Sequence, residues 1–351
     1  MLPCYAAPME GLTGAPFRRV HAKHFPGVAK YFSPFLSPTQ DHLFTPRERR
    51  ELSPESNAGV PLVPQLLTKN ADDFLWAVGE LAAMGYRQVD LNLGCPSGTV
   101  VAKGKGAGFL ARPDELERFL DTVFSAELPA AISVKTRLGM DDPAEFDALL
   151  ALYRRYPLAE LTVHPRVRRE QYDGTVHLDA YRRALDASPF PVCYNGDLVS
   201  PEDAGALARL APGSAALMVG RGLIADPALP RRLAGGENVT REELRDFTSD
   251  LYDAYAAAFG SRRNAMMRMK ELWSYLIFLF DERDALLKKL RRAADTREYE
   301  SLAAAILQEL PLRADAALPW RGASWAEEAP ADLRTTSRHG VLRASSADHP
   351  I

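Results

Sequence analysis

The feature that most constrains this chain is an alternation through its first 235 residues, where eight short apolar runs are separated by stretches of helical period. The runs are Cys4 to Met9, Val28 to Ser33, Val60 to Leu66, Gln88 to Leu93, Ala131 to Thr136, Leu161 to His164, Pro191 to Asn195 and Ala216 to Gly220. Each is too short for a helix and rich in Val, Leu or aromatic residues, which suits strands covered on both faces of a parallel sheet. Helix starts stand between them. Asp141-Asp142-Pro143 precedes Phe146, Leu149, Leu150 and Tyr153, and Ser200-Pro201-Glu202-Asp203 opens the last crossover. The pattern predicts an α/β fold, a (β/α)8 TIM barrel, with the crossover from Leu36 to Asn57 expected mostly as loop.

A second pattern begins after residue 237. Thr240-Arg241-Glu242-Glu243 is a capping box, followed by Leu244, Phe247, Leu251, Tyr255 and Phe259 at helical spacing. Further helical patterns run through Met266 to Phe280, Ala285 to Ala293 and Glu298 to Leu310. This predicts a barrel domain over 1–237, a C-terminal α-helical bundle over 238–311 and a flexible tail over 312–351, where periodicity fades. From Arg262 to Arg292 nine basic residues face four acidic ones, a local excess within a chain whose formal charge is -3. Any nucleic-acid binding must therefore come from a patch.

With 351 residues, 46% of them hydrophobic, the chain can bury a barrel-sized core and a second domain. Three cysteines at unrelated spacings, Cys4, Cys95 and Cys193, argue for a reducing compartment and against a disulfide framework or a metal site. No leader pattern and no window of eighteen apolar residues is present, so a soluble, cytoplasmic protein without a membrane span is expected. No obligate protein partner is evident.

Chemically capable residues fall at one end of the barrel. Met9, Gln65, Asn92, Cys95, Lys135, His164, Asn195 and Arg221 all lie at or just beyond the C-terminal ends of predicted strands, where barrel enzymes carry their active sites. For any one of them, satisfying loop backbone groups is an adequate account; for the set, convergence on a site is the better one. Cys95 sits on a Gly94-Pro96 turn rather than within a strand. Asn195-Gly196-Asp197 and Gly220-Arg221-Gly222 are glycine-bearing turns where barrels hold phosphate, and no GxGxxG follows a strand. A mononucleotide cofactor fits better than a dinucleotide.

These segments, in order Ala7-Pro8-Met9-Glu10-Gly11-Leu12-Thr13, Pro64-Gln65-Leu66-Leu67, Asn92-Leu93-Gly94-Cys95-Pro96, Val134-Lys135-Thr136-Arg137-Leu138-Gly139, Thr162-Val163-His164-Pro165-Arg166, Tyr194-Asn195-Gly196-Asp197 and Gly220-Arg221-Gly222, resemble the dihydrouridine synthase family from Pro3 to about Leu310. The family comprises flavoenzymes that reduce uridines in RNA. The resemblance implies FMN as cofactor, NADPH or NADH as reductant and tRNA as partner. By it, Pro8 and Met9 would line the flavin ring; Gln65, Lys135 and His164 would hydrogen-bond its polar edge; Asn195, Asp197, Gly220 and Arg221 would hold its phosphate. Cys95 would be the general acid that protonates uracil C5 after hydride reaches C6, because a thiol is mostly protonated at neutral pH yet still transfers its proton. Asn92, Arg137 and Arg166 would meet the substrate, and Arg262, Arg263, Lys288, Lys289, Arg291 and Arg292 the RNA backbone. Gly14 and Gly98 depart from the family's usual acidic residue and lysine, with Lys103 and Lys105 following a few residues after the second. Two rival readings are an FMN barrel acting on a free pyrimidine or an enoate, and a non-catalytic RNA-binding protein.

Overall fold

The structure, a computed structural model, describes residues 2–316 and 318. Its nine strands, all parallel, are β1 (Cys4–Ala6), β2 (Val28–Phe32), β3 (Leu62–Val63), β4 (Gln65–Leu66), β5 (Gln88–Leu93), β6 (Ala131–Arg137), β7 (Glu160–His164), β8 (Val192–Asn195) and β9 (Ala216–Val219). Their order is β3-β2-β1-β9-β8-β7-β6-β5-β4. The two ends of that order are one stretch of chain broken at Pro64, which has no N–H to give the ladder. The sheet therefore closes as an eight-staved barrel, and Asp90 N–H, donating to Pro64 O at 2.8 Å, carries the pairing across the break. The predicted runs overlap all eight staves.

Two cores result from the alternation of strand side chains. The larger lies between the sheet and the surrounding helices; the smaller, Tyr5, Ala7, Phe32, Val63, Cys193, Ala216 and Met218, fills part of the barrel interior. Those residues come from β1, β2, β3, β8, β9 and the loop after β1, while β5, β6 and β7 send in Asp90, Asn92, Ser133, Lys135 and Thr162. The interior is apolar on one side and polar on the other.

The crossover expected as loop contains a helix, Pro46–Leu52. Its composition is almost wholly polar, so periodicity does not reveal it, but Thr45 and Glu48 form a capping box. The helix carries Glu51, which meets the buried Arg18 at 2.5 Å; Arg18 also donates to Thr13 O at 2.8 Å and Asn57 Oδ1 at 2.7 Å. Removing one partner of a buried pair like this costs about 3–5 kcal/mol. The network fixes the turn after β1, where Met9 N–H donates to Thr13 Oγ1 at 2.8 Å.

The C-terminal helices are Arg241–Phe259, Arg262–Leu276, Asp284–Arg292 and Thr296–Glu309. Thr240, Ser261 and Asp295 cap three of them, and Gly260, at φ 73°, makes the left-handed turn between the first two. The bundle packs on the barrel through Phe247, whose ring lies 5.3 Å from Phe25 and 6.2 Å from Phe17. Burying such a side chain contributes about 1.5–3 kcal/mol. The start of the expected flexible tail departs from expectation: Arg313 pairs with Asp281 at 2.6 Å, and Asp315 meets the buried Arg232. Arg232 already holds Asp226 at 2.6 Å, and its second amino group draws the chain back onto the barrel. Ala316 and Leu318 are buried as well, and the rest of that tail lies outside the described residues. Among the described residues no helix is long and apolar enough to cross a membrane.

Candidate active site

At the C-terminal ends of the strands, pairing sets Gln65 beside Asp90, Asn92 beside Lys135, and Arg137 beside His164. A chain of hydrogen bonds follows from that register. Ser133 Oγ donates to Asp90 Oδ1 and Gln65 Nε2 to Asp90 Oδ2, each at 2.7 Å. Asn92 Nδ2 donates to Gln65 Oε1 at 2.7 Å, and Asn92 Oδ1 accepts from Gly94 N–H at 3.0 Å and Cys95 N–H at 2.9 Å. The turn that carries the thiol is thus pinned to the barrel interior. Burial, opposed by these hydrogen bonds and by Lys135, pushes the Asp90 carboxyl up to about 6.

Cys95 is half-buried. Burial raises its thiol above the ordinary value, with the Ser97 backbone, Lys135 and Arg137 pulling the other way. At neutral pH it therefore holds its proton. Lys135 is also half-buried, and among the described residues its ammonium has no hydrogen-bond or ion-pair partner. Burial, then Arg137, brings it down to about 8. His164 is pulled well below its ordinary range by burial and by four cations, Arg137, Lys135, Arg166 and Arg221, so its ring is neutral. Arg166 lies 3.2 Å from its Nε2.

Asp197 ties this cluster together. It meets Arg166 at 2.5 Å and Arg221 at 2.6 Å, with its backbone in the left-handed region at φ 44°. Tyr172, in the loop after β7, stacks on His164 with centroids 6.1 Å apart and lies beneath Arg137 at 5.2 Å and Arg221 at 5.4 Å. Gly220 lies against the turn after β1: a Cβ there would be 3.5 Å from Ala7 Cβ and Met9 Sδ. Asn195 Nδ2 donates to Met218 O at 2.9 Å, and Pro8 and Met9 are partly exposed at the same rim.

The structure brings the expected residues to one mouth but changes what several can do. Gln65 is fully buried and engages Asp90 and Asn92. Asn92 holds the Cys95 turn with its amide oxygen and anchors to Gln65 with its amide nitrogen. Arg137, buried, donates to Gly94 O at 2.9 Å and Val167 O at 3.2 Å, so it clamps the same turn. Arg166, equally buried, is engaged by His164, Asp197 and Gly174 O. Asp197 would repel a phosphate; doubly paired, it orients two arginines instead. Asp90 and Tyr172 were not anticipated: a carboxylate inside the apolar run Val89-Asp90-Leu91 and an aromatic in a charged loop were the signals for them.

On the bundle, Arg262 is engaged by Asp253 at 2.9 Å and Glu300 at 3.3 Å. Arg263, Lys288, Lys289, Arg291 and Arg292 are exposed and, among the described residues, have no ion-pair partner. No group of three or more metal-ligating side chains is present among the described residues.

Residues 5–314 match the family described as dihydrouridine synthase (Dus). The chain is 34% identical over 236 residues to a tRNA-dihydrouridine(16) synthase of Ralstonia nicotianae, covering 65% of this chain and 72% of that protein. It is 31% identical over 323 residues to a tRNA-dihydrouridine(16) synthase of Cupriavidus necator, covering 88% and 97%. A probable tRNA-dihydrouridine synthase of Rhodobacter capsulatus is 29% identical over 284 residues, covering 78% and 86%.

Proposed function

The chain belongs to the dihydrouridine synthase family, and from that premise we propose that it is an FMN-dependent, NAD(P)H-using reductase that saturates the 5,6 double bond of uridines in tRNA. The observation that carries this reading is the protonated Cys95 thiol on a rigid turn beside a well of four cations, Lys135, Arg137, Arg166 and Arg221. The donor set fits a flavin mononucleotide. An unpartnered ammonium inside the mouth suits an anionic, acceptor-rich ring edge, and the arginine that Asp197 shares, with the glycine turn at Gly220, suits a phosphate. Lys135 and His164 would hold the ring's polar edge, Pro8 and Met9 its apolar surface, and Asn195, Gly220 and Arg221 its phosphate. When bound, reduced FMN supplies hydride to the uracil ring.

The protein's own residues do the rest. Saturation adds a hydride to C6 and a proton to C5, and Cys95 holds that proton; its thiolate is then reprotonated from solvent. Asn92 and Arg137 keep the thiol in place through the turn's backbone, and Gln65 holds Asn92. Lys135 supplies a positive charge where negative charge accumulates on reduction. Tyr172 offers an aromatic face at the rim for an unstacked base. The exposed cations of the bundle would hold the phosphates around the extracted uridine. The barrel over 1–237 would thus do the chemistry and the helices over 238–311 the gripping.

The test is incubation of an unmodified tRNA with the protein, FMN and NADPH or NADH, followed by mapping of dihydrouridine, beginning at position 16, which two relatives' names specify. Product in tRNA and none from free uridine supports the reading; reduction of free pyrimidine alone contradicts it.

A further inference from the structure

A second cationic cluster stands on the barrel rim, apart from the bundle. The loop after β4 carries Lys69. The loop after β5 leaves Cys95, passes through the short helix Gly98–Val101, and reaches Lys103-Gly104-Lys105. It then turns back beneath the thiol, where Ala107 N–H donates to Cys95 O at 3.1 Å and a Cβ on Gly106 would lie 3.1 Å from Cys95 Cβ. Gly104 takes φ +67°, and a Cβ there would be 3.5 Å from Lys69 Nζ and 3.7 Å from the Arg112 guanidinium carbon. Four cations gather around one turn.

Their charge is little compensated. Lys69 and Lys103 are exposed and Lys105 partly so, and among the described residues none of the three has a hydrogen-bond or ion-pair partner. Arg112 meets Glu115 at 3.3 Å, and Asp73, within electrostatic reach of Lys105, also pairs with His42 at 3.4 Å. Burial first, then Lys103 and Lys69 against the pull of Asp73, lowers the Lys105 ammonium. Crowding like charges costs energy that a bound anion offsets.

Topology says which anion. The loops after β4 and β5 lie across the mouth from β1 and β9, and it is beside β1 and β9 that the bundle packs, Tyr255 OH donating to Leu12 O at 3.4 Å. Cations on both sides of one mouth suit a polyanion that spans it. We propose that Lys69, Lys103 and Lys105, with Arg112 beside them, form a phosphate site that holds the tRNA backbone next to the target uridine, opposite the bundle. This rests on the tRNA reading above.

The test replaces three residues in the full chain, Lys69→Gln, Lys103→Gln and Lys105→Gln, beside a charge-preserving triple, Lys69→Arg, Lys103→Arg and Lys105→Arg. Binding of an unmodified tRNA is titrated against salt, with turnover and flavin content measured alongside. The glutamine triple should lower the log–log salt slope by roughly 0.7 to 0.9 per lost contact and raise KM for tRNA about fivefold or more, with kcat and flavin content held. The arginine triple should behave as the parent. A glutamine triple with parental slope and KM overturns the rim site and leaves the reductase reading standing. A parent that binds tRNA through this cluster but forms no dihydrouridine overturns the reductase reading alone; a parent that does not bind tRNA overturns both.

Discussion

The barrel mouth and the helical bundle both collect positive charge, and they do so in opposite ways. In the mouth, Arg137 and Arg166 are buried, hydrogen-bonded to backbone carbonyls or to Asp197, and crowded against Lys135 and a neutral His164. On the bundle, Arg263, Lys288, Lys289, Arg291 and Arg292 stand in solvent with no ion-pair partner among the described residues. Burial converts charge into shifted pKa values and fixed geometry, which chemistry needs; exposure leaves it free to exchange counterions, which RNA affinity needs. The difference teaches that an arginine count alone does not locate an RNA surface. Arg137 and Arg166 look like RNA contacts in sequence, and in space both are buried and engaged within the protein.

The largest effect that sharpens this contrast is expected at Cys95. Cys95→Ala should cut dihydrouridine formation on the order of a hundredfold or more, while flavin content and tRNA affinity stay at parental levels. Near-parental turnover would return the thiol to packing. Asn92→Ala comes next. It strands the Gly94 and Cys95 N–H groups and Gln65 Oε1 without partners, at about 1–3 kcal/mol each where buried, so turnover should fall about tenfold or more with the salt slope of binding unchanged. A changed slope with unchanged turnover would place Asn92 with the RNA contacts instead.

The pH profile probes the same region. The Lys135 pKa is lowered to about 8, so the group is cationic below that pH and loses its charge as pH rises through it. Turnover should decline as pH rises past about 8, and Lys135→Arg should move that limb to higher pH. A profile flat to pH 9.5 in the parent would remove Lys135 from the chemistry.

The smallest effect is expected on the bundle. Replacing Arg262, Arg263, Lys288, Lys289, Arg291 and Arg292 by Gln should flatten the salt dependence of tRNA binding by roughly 0.7 to 0.9 in slope per real contact. Arg262 should add least, since Asp253 and Glu300 already engage it. Unchanged binding across the titration would make this face ordinary solvated surface.

The barrel was legible because parallel strands covered on both faces must be apolar, and the eight runs overlap the eight staves. The bundle was legible from its capping box at Thr240 and its helical spacing. The helix Pro46–Leu52 was not, because two polar turns have no periodicity to read. Site membership was legible for the same reason as the strands, since their ends define one face. Roles were not. Whether Gln65, Asn92 or Asp197 faces a ligand or a neighbour depends on cross-strand register and on loops meeting in space, as when Asp197 lies between Arg166 and Arg221. Nor does local sequence show that Asp315 returns to Arg232.

The division between a mouth that reacts and a surface that grips is tested most directly by steady-state dihydrouridine formation in unmodified tRNA. Three proteins are compared across a range of tRNA concentration: the parent, Cys95→Ala and the six-fold glutamine variant. The account predicts that Cys95→Ala lowers kcat by about a hundredfold or more at parental KM, and that the glutamine variant raises KM at parental kcat. A Cys95→Ala protein that keeps its kcat, or a glutamine variant whose loss lies in kcat rather than KM, would contradict it.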